Sequence, residues 1–188
     1  MPEPIQAGSS PLHADDGVDV FVYHWLPPAG QSPRAVVLLV HGAAEHAGRY
    51  DRLARDLAGH GYAVYADDHR GHGRTAGSVE RAGIAGPDGW ERMLADLRAL
   101  SLQIVTEHPG VPLVLLGHSM GSLLGQAYAQ RHGETLSGLI LSGTASSLPA
   151  GAEDLADRVA AATEAEGPDA PSMDFGMLFA GFNEPFVA

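Results

Sequence analysis

The stretch Val111-Pro112-Leu113-Val114-Leu115-Leu116-Gly117-His118-Ser119-Met120-Gly121 decides the fold. An apolar run, read as a buried strand, meets a G-x-S-x-G pentapeptide and then a helix-like stretch over Leu123, Leu124, Ala127 and Tyr128. A sharp strand-to-helix turn forces its central residue into a strained backbone conformation. Gly117 and Gly121 flank it because a Cβ there would collide with the neighbouring strand and helix. The turn lifts the hydroxyl of Ser119 into the open, which makes Ser119 a candidate nucleophile.

Outward from this turn, the chain alternates strand and helix signals. Ala35-Val36-Val37-Leu38-Leu39-Val40 is a continuous apolar run, as expected of a strand covered on both faces. Tyr50, Leu53, Ala54, Leu57 and Ala58 recur at helical spacing up to Gly59 and Gly61. Tyr62-Ala63-Val64-Tyr65-Ala66 reads as a further strand, and Trp90, Met93, Leu94, Leu97, Leu100, Ile104 and Val105 trace a long amphipathic helix whose stripe is expected in the core. Val18, Val20 and Val22 alternate in a half-buried strand closed by Leu26-Pro27-Pro28, and Leu139-Ile140-Leu141 is a last strand. Together these predict an α/β fold, a mostly parallel sheet with helices on both faces. Residues 1–16, rich in Pro, Gly, Ser and Asp, are expected to form a flexible lead-in, with the core over 17–147. Beyond it, Leu155, Val159 and Ala162 hint at one more helix, and the tail from Gly167 carries Met173, Phe175, Met177, Leu178, Phe179 and Phe182.

Composition narrows the partners. With 188 residues, 11 Lys+Arg against 23 Asp+Glu and a formal net charge of -12, the chain is large enough for one core. It is also too acidic for nucleic acid or anionic membrane to attract it. No cysteine occurs, so disulfides and thiolate chemistry are excluded. The first residues lack a basic, apolar leader and no stretch approaches the ~20 apolar residues of a membrane span, so a cytoplasmic protein is expected.

Parallel sheets gather their chemistry at the carboxyl ends of the strands. Besides the pentapeptide, two motifs fall there: His41-Gly42-Ala43-Ala44-Glu45-His46, and Asp68-His69-Arg70-Gly71-His72-Gly73-Arg74-Thr75. Acyl transfer needs N-H donors where negative charge develops on the carbonyl oxygen. The expected pair is the backbone N-H of Ala43 and that of Met120, the residue after the nucleophile. Glu45 and Arg49 are read as an ion pair supporting the first loop, and the second loop as the floor of the site. His69 and His72 have the spacing of metal ligands but lack an evident third, so no metal and no cofactor is expected.

His41-Gly42-Ala43-Ala44-Glu45-His46 with Arg49-Tyr50, Asp68-His69-Arg70-Gly71-His72-Gly73, and Gly117-His118-Ser119-Met120-Gly121 occur in an order that resembles the monoacylglycerol lipase and lysophospholipase branch of the α/β-hydrolase superfamily, over most of residues 18–145. The resemblance implies a serine esterase acting on a small lipid ester, with Ser119 as nucleophile and Ala43 and Met120 as oxyanion donors. It also implies that a mobile cap begins near Leu148, placing 148–188 in it, where its apolar residues could meet lipid.

In this family the triad acid and histidine lie on later strands, so the chain is expected to be incomplete, without the C-terminal strands. His132, 13 residues beyond Ser119, lies roughly 19 Å away along a regular helix at ~1.5 Å per residue. A general base must be within about 3 Å or one water further. A chain of this kind would expose Leu139-Ile140-Leu141 as an edge prone to self-association. The competing expectation is a non-catalytic or split α/β-hydrolase-like protein that binds a ligand or needs a partner chain.

Overall fold

The computed structural model describes residues 4–145 and 154–167. By its internal contacts the chain divides after Thr144. In the first unit, β1 (Gln6–His13), β2 (Asp19–Leu26), β3 (Val36–Val40), β4 (Ala63–Asp67), β5 (Leu113–His118) and β6 (Gly138–Ser142) form one sheet in the order β1-β2-β4-β3-β5-β6. Pairings among β4, β3, β5 and β6 are parallel, whereas β1 with β2 and β2 with β4 are antiparallel. The helices are α1 (Asp51–Gly59), the single turn α2 (Gly73–Ala76), α3 (Gly89–Glu107) and α4 (Met120–His132). In the second unit the described residues form α5 (Leu155–Glu166), where the Leu155, Val159 and Ala162 spacing suggested a helix. The apolar tail from Met173 to Phe182 lies outside the described residues.

Side chains of a strand alternate between faces, and every residue of β3 is buried, so this strand feeds two cores. Val36, Leu38 and Val40 join Leu97, Leu100 and Ile104 of α3 and Leu124 and Tyr128 of α4. Val37 and Leu39 join Trp25 of β2 and Ala54 and Ala58 of α1. Helices thus cover both faces, as the runs of branched residues imply.

Two expectations are corrected. Residues 6–13 are not a loose lead-in: they are β1, paired antiparallel with β2 from Gln6↔Leu26 to His13↔Asp19. Its signal is hidden because only Leu12 of the strand is buried, and Pro11 is tolerated at the edge of the sheet. Trp90 and Val105 are not core, being 38% and 40% exposed, while Met93, Leu94, Leu97, Leu100 and Ile104 are buried. Trp90 stands in the first turn of α3 and Val105 in its last, on either side of the buried stretch from Met93 to Ile104. Leu53 and Leu123 are likewise on the exposed side of α1 and α4. β6 ends the described sheet, with Leu139 and Ile140 exposed.

Candidate active site

The parallel part of the sheet starts from β3, moves to one side for β4 and returns to the other for β5, so the loops leaving β3, β4 and β5 sit side by side. Val40 pairs with Gly117, which brings His41 and Gly42 against the pentapeptide. A Cβ on Gly42 would lie 3.1 Å from the Cβ of Ser119 and 2.9 Å from Glu45 Oε1. This is why glycine stands there.

Ser119 joins β5 to α4 with φ 52° and ψ -119°, a left-handed conformation that is costly for any residue with a side chain. The turn is held from outside. Ser119 N-H donates to the Ser142 carbonyl (2.9 Å), and the Ser119 carbonyl accepts from Ser122 N-H (2.8 Å) and Ser122 Oγ (2.6 Å). Added Cβ atoms would strike the Gly121 carbonyl at position 117 and the Val40 carbonyl at position 121. Among the described residues Ser119 Oγ has no hydrogen-bond partner, and neither the Ala43 nor the Met120 N-H has an acceptor.

The loop after β3 carries a second left-handed residue, Ala44, with φ 56°. Glu45 holds it. Its side chain, 8% exposed, accepts the Gly42 N-H (2.6 Å) and the Tyr50 hydroxyl (2.7 Å) on Oε1 and Arg49 (2.9 Å) on Oε2. Burial, and then the bond to Glu45, push the Tyr50 hydroxyl well above its ordinary pKa, so it donates as a neutral phenol. His46 is exposed and caps the 3₁₀ turn Ala47–Tyr50 without a side-chain bond.

The loop after β4 is buried and bonded to the loop after β3. Asp68 accepts Ala47 N-H (2.8 Å) and Arg74 N-H (2.7 Å). His69 Nδ1 meets Asp67 Oδ2 at 2.7 Å, and the His41 and His69 rings stack with centroids 3.9 Å apart. Burial opposes charge on His69, but the Asp67 carboxylate outweighs it and raises the imidazole pKa; Asp67, which burial alone would raise, is lowered by the same partner. Asp67 Oδ1 is buried with no hydrogen-bond partner among the described residues. His41 is pushed down to about 3, first by burial and then by the neighbouring His69 charge. Arg70 grips Asp96 of α3 through Nε (2.7 Å) and Nη2 (2.9 Å) and Asp16 of the β1–β2 turn through both carboxylate oxygens.

His118 leans on the Ser142 hydroxyl (3.3 Å), and a groove of about 430 Å³ opens beside it, lined by Glu45, Tyr50, Leu53, Leu116 and Ile140. His132 lies at the last position of α4, which begins at the elbow. Sequence reading quoted Tyr50 with the first motif without giving it a role, and missed Asp67, Asp96 and Ser142 as parts of this assembly. Asp67 directly adjoins a residue already singled out, whereas Asp96 and Ser142 are brought in by helix and sheet packing that no local pattern announces.

Residues 31–171 match the family model described as serine aminopeptidase, S33. The chain is 40% identical over 130 residues to a monoacylglycerol lipase of Mycolicibacterium smegmatis, covering 69% of this chain and 44% of that protein. It is 36% identical over 126 residues to the monoglyceride lipase of Mus musculus, covering 67% and 39%. A thermostable carboxyl esterase from Bacillus coagulans, solved in complex with glycerol, superposes with a TM-score of 0.83 at 30% identity, over 97% of this chain and 58% of the esterase. The chain thus spans under half the length of those two lipases. With the fold and the matched span in agreement, the chain belongs to the serine aminopeptidase S33 family, in the monoacylglycerol lipase branch of the α/β-hydrolase superfamily.

Proposed function

We propose that this chain is the nucleophile-bearing part of a serine carboxylic-ester hydrolase of the monoacylglycerol lipase type. The observation that carries the reading is the left-handed Ser119 between Gly117 and Gly121, its hydroxyl without a hydrogen-bond partner among the described residues, at the edge where the β3 loop meets the elbow. In this reading Ser119 Oγ attacks the ester carbonyl, its proton passes to a histidine, and the Ala43 and Met120 N-H groups take up the oxyanion. The alkoxide leaves with a proton, and water then releases the fatty acid from the acyl-enzyme. No cofactor enters these steps.

In this reading the triad acid and histidine are not supplied by this chain, whose ten histidines all lie among the described residues. His132 is a helix length from Ser119, and His41 and His69 are committed to backbone and carboxylate partners. A glyceride substrate is favoured by the glycerol bound to the B. coagulans esterase and by the lipases among the relatives. Lipid contact through a cap over 148–188 belongs to the same proposal, and most of that segment lies outside the described residues.

Hydrolysis of a short monoacylglycerol and of p-nitrophenyl butyrate by the purified chain, beside Ser119→Ala, tests the reading. An acyl group trapped on Ser119 and located by mass spectrometry is expected, with turnover several orders of magnitude below that of a complete triad. Turnover unchanged in Ser119→Ala would overturn the nucleophile assignment. The Ser119 hydroxyl, without a partner among the described residues, also favours a second reading, a chain that binds ligand or is completed by another polypeptide. Fast Ser119-dependent turnover by the chain alone decides against it.

A further inference from the structure

Two consecutive peptide planes, His41–Gly42 and Gly42–Ala43, carry the loop after β3 past Ser119, and their polar groups are engaged one by one. On the first plane, the His41 carbonyl meets His69 Nε2 at 3.3 Å and the Gly42 N-H donates to Glu45 Oε1 at 2.6 Å. On the second, the Gly42 carbonyl meets His41 Nδ1 at 2.7 Å, and the Ala43 N-H has no acceptor among the described residues.

The protons on both rings follow from the partners. The backbone N-H of His69 can only donate, and it points at His41 Nε2 from 3.1 Å, so that nitrogen is bare and Nδ1 carries the hydrogen given to the Gly42 carbonyl. His69 faces acceptors at both nitrogens, the Asp67 carboxylate and the His41 carbonyl, so both carry protons. Stacking at 3.9 Å sets the charged ring against the neutral one.

A trans peptide is planar, with its C=O and N-H pointing in opposite directions. Holding the Gly42 carbonyl on the buried His41 side therefore turns the Ala43 N-H to the other side of the plane. We infer that His41, as its Nδ1-H tautomer, is the positioning residue of the oxyanion loop: its bond to the Gly42 carbonyl fixes the peptide whose opposite end is the Ala43 donor. This rests on the hydrolase reading for the use made of that donor, but the peptide lock is a property of the loop. His41 touches no reacting atom. Without its bond the Gly42–Ala43 plane, free to turn about the glycine at its start, has no other hydrogen bond among the described residues to stop it rotating.

Long-range ¹H–¹⁵N spectra of the full chain read the tautomer directly. His41 protonated at Nδ1 and bare at Nε2 is expected, and the reverse tautomer would overturn the inference. Two substitutions then separate the ring's two bonds. His41→Asn places an amide N-H near the position of Nδ1, whereas His41→Gln places its amide near Nε2 and leaves the Gly42 carbonyl without a donor. The Ala43 amide resonance should stay close to the wild-type position in His41→Asn and move in His41→Gln, with the amides of α3 unmoved in both. An Ala43 resonance that moves alike in both variants, or in neither, overturns the lock. If either variant fails to fold, the wild-type tautomer still decides. Absence of an acyl group on Ser119 in the wild type would count against the hydrolase reading and leave these loop resonances to decide the role of His41.

Discussion

The carboxylate of Glu45 receives the backbone N-H of Gly42, three residues earlier, at 2.6 Å, with the Tyr50 hydroxyl on the same oxygen. A buried N-H stripped of its acceptor costs the desolvation of that group, and bonds to a charged acceptor are worth about 1.5 to 3 kcal/mol. Glu45→Ala should therefore lower unfolding free energy by roughly 2 to 3 kcal/mol, and Glu45→Gln, which keeps an acceptor oxygen, by clearly less. Urea unfolding of both variants measures the difference. Equal losses would mean that the charge, rather than the acceptor, holds the loop.

The elbow glycines differ in what surrounds them. A Cβ at Gly121 would strike the carbonyls of Val40, the last residue of the central strand, and of the adjoining His41, fixed backbone atoms, whereas at Gly125 it would meet a terminal methyl of Leu115 at 2.8 Å. Gly121→Ala should cost at least about 3 kcal/mol, the upper end of overpacking penalties. Gly125→Ala, one turn along the same helix, should be near neutral, because alanine gains up to about 1 kcal/mol over glycine in a helix and the methyl can shift. Thermal unfolding of the pair checks this, and similar losses in both would refute the role given to the fixed backbone.

How legible all this was depends on the range of the interaction. β3 declares itself because five consecutive apolar residues can only be covered on two sides, and the elbow because strand, Gly117, Ser119 and Gly121 follow one another. β1 stays silent because an edge strand with one buried residue, Leu12, has no alternation to read. The Glu45–Arg49 pair is visible at helical spacing, yet the inward role of Glu45 toward Gly42 is not. Trp90 shows the limit of periodicity: the spacing is right, but whether a neighbour reaches that turn of α3 is settled by packing. The lock on the Gly42 carbonyl combines an adjacent residue with one 28 positions away, His69, and only the parallel pairing of β3 with β4 brings them together.

Stability should pass through a maximum near about pH 6.5, the ordinary histidine value. His41 and His72 are held below that value, chiefly by burial, so the unfolded chain binds the extra protons and stability falls as pH drops from about 6.5. For His41 this continues toward its folded value of about 3, at up to about 1.4 kcal/mol per pH unit. His69 is held above its ordinary value by Asp67, so its contribution is complete below about 6.5 and fades as pH rises through the folded pKa. Asp67 is lowered, and its contribution fades only as pH falls below 3.8. Unfolding free energy measured from pH 4.5 to 9 should rise and then decline, and Asp67→Asn should remove the alkaline decline. A profile without an acid slope would contradict a neutral, buried His41.

Arg70 joins the β1–β2 turn to α3, and its removal strands Asp96, which is 4% exposed and whose carboxyl burial already pushes up despite the guanidinium. Breaking a buried pair on one side costs about 3 to 5 kcal/mol, while replacing both partners by apolar side chains is often far milder. Arg70→Met should thus be severe, and Arg70→Met with Asp96→Leu should recover part of the loss, a coupling of about 0.5 to 3 kcal/mol in a double-mutant cycle. The pH dependence separates charge from shape. In Arg70→Met the lone Asp96 carboxylate is relieved by protonation, so the deficit should shrink as pH falls through its raised pKa. A deficit that is the same at every pH would assign the loss to the packing of the guanidinium stem rather than to the stranded charge.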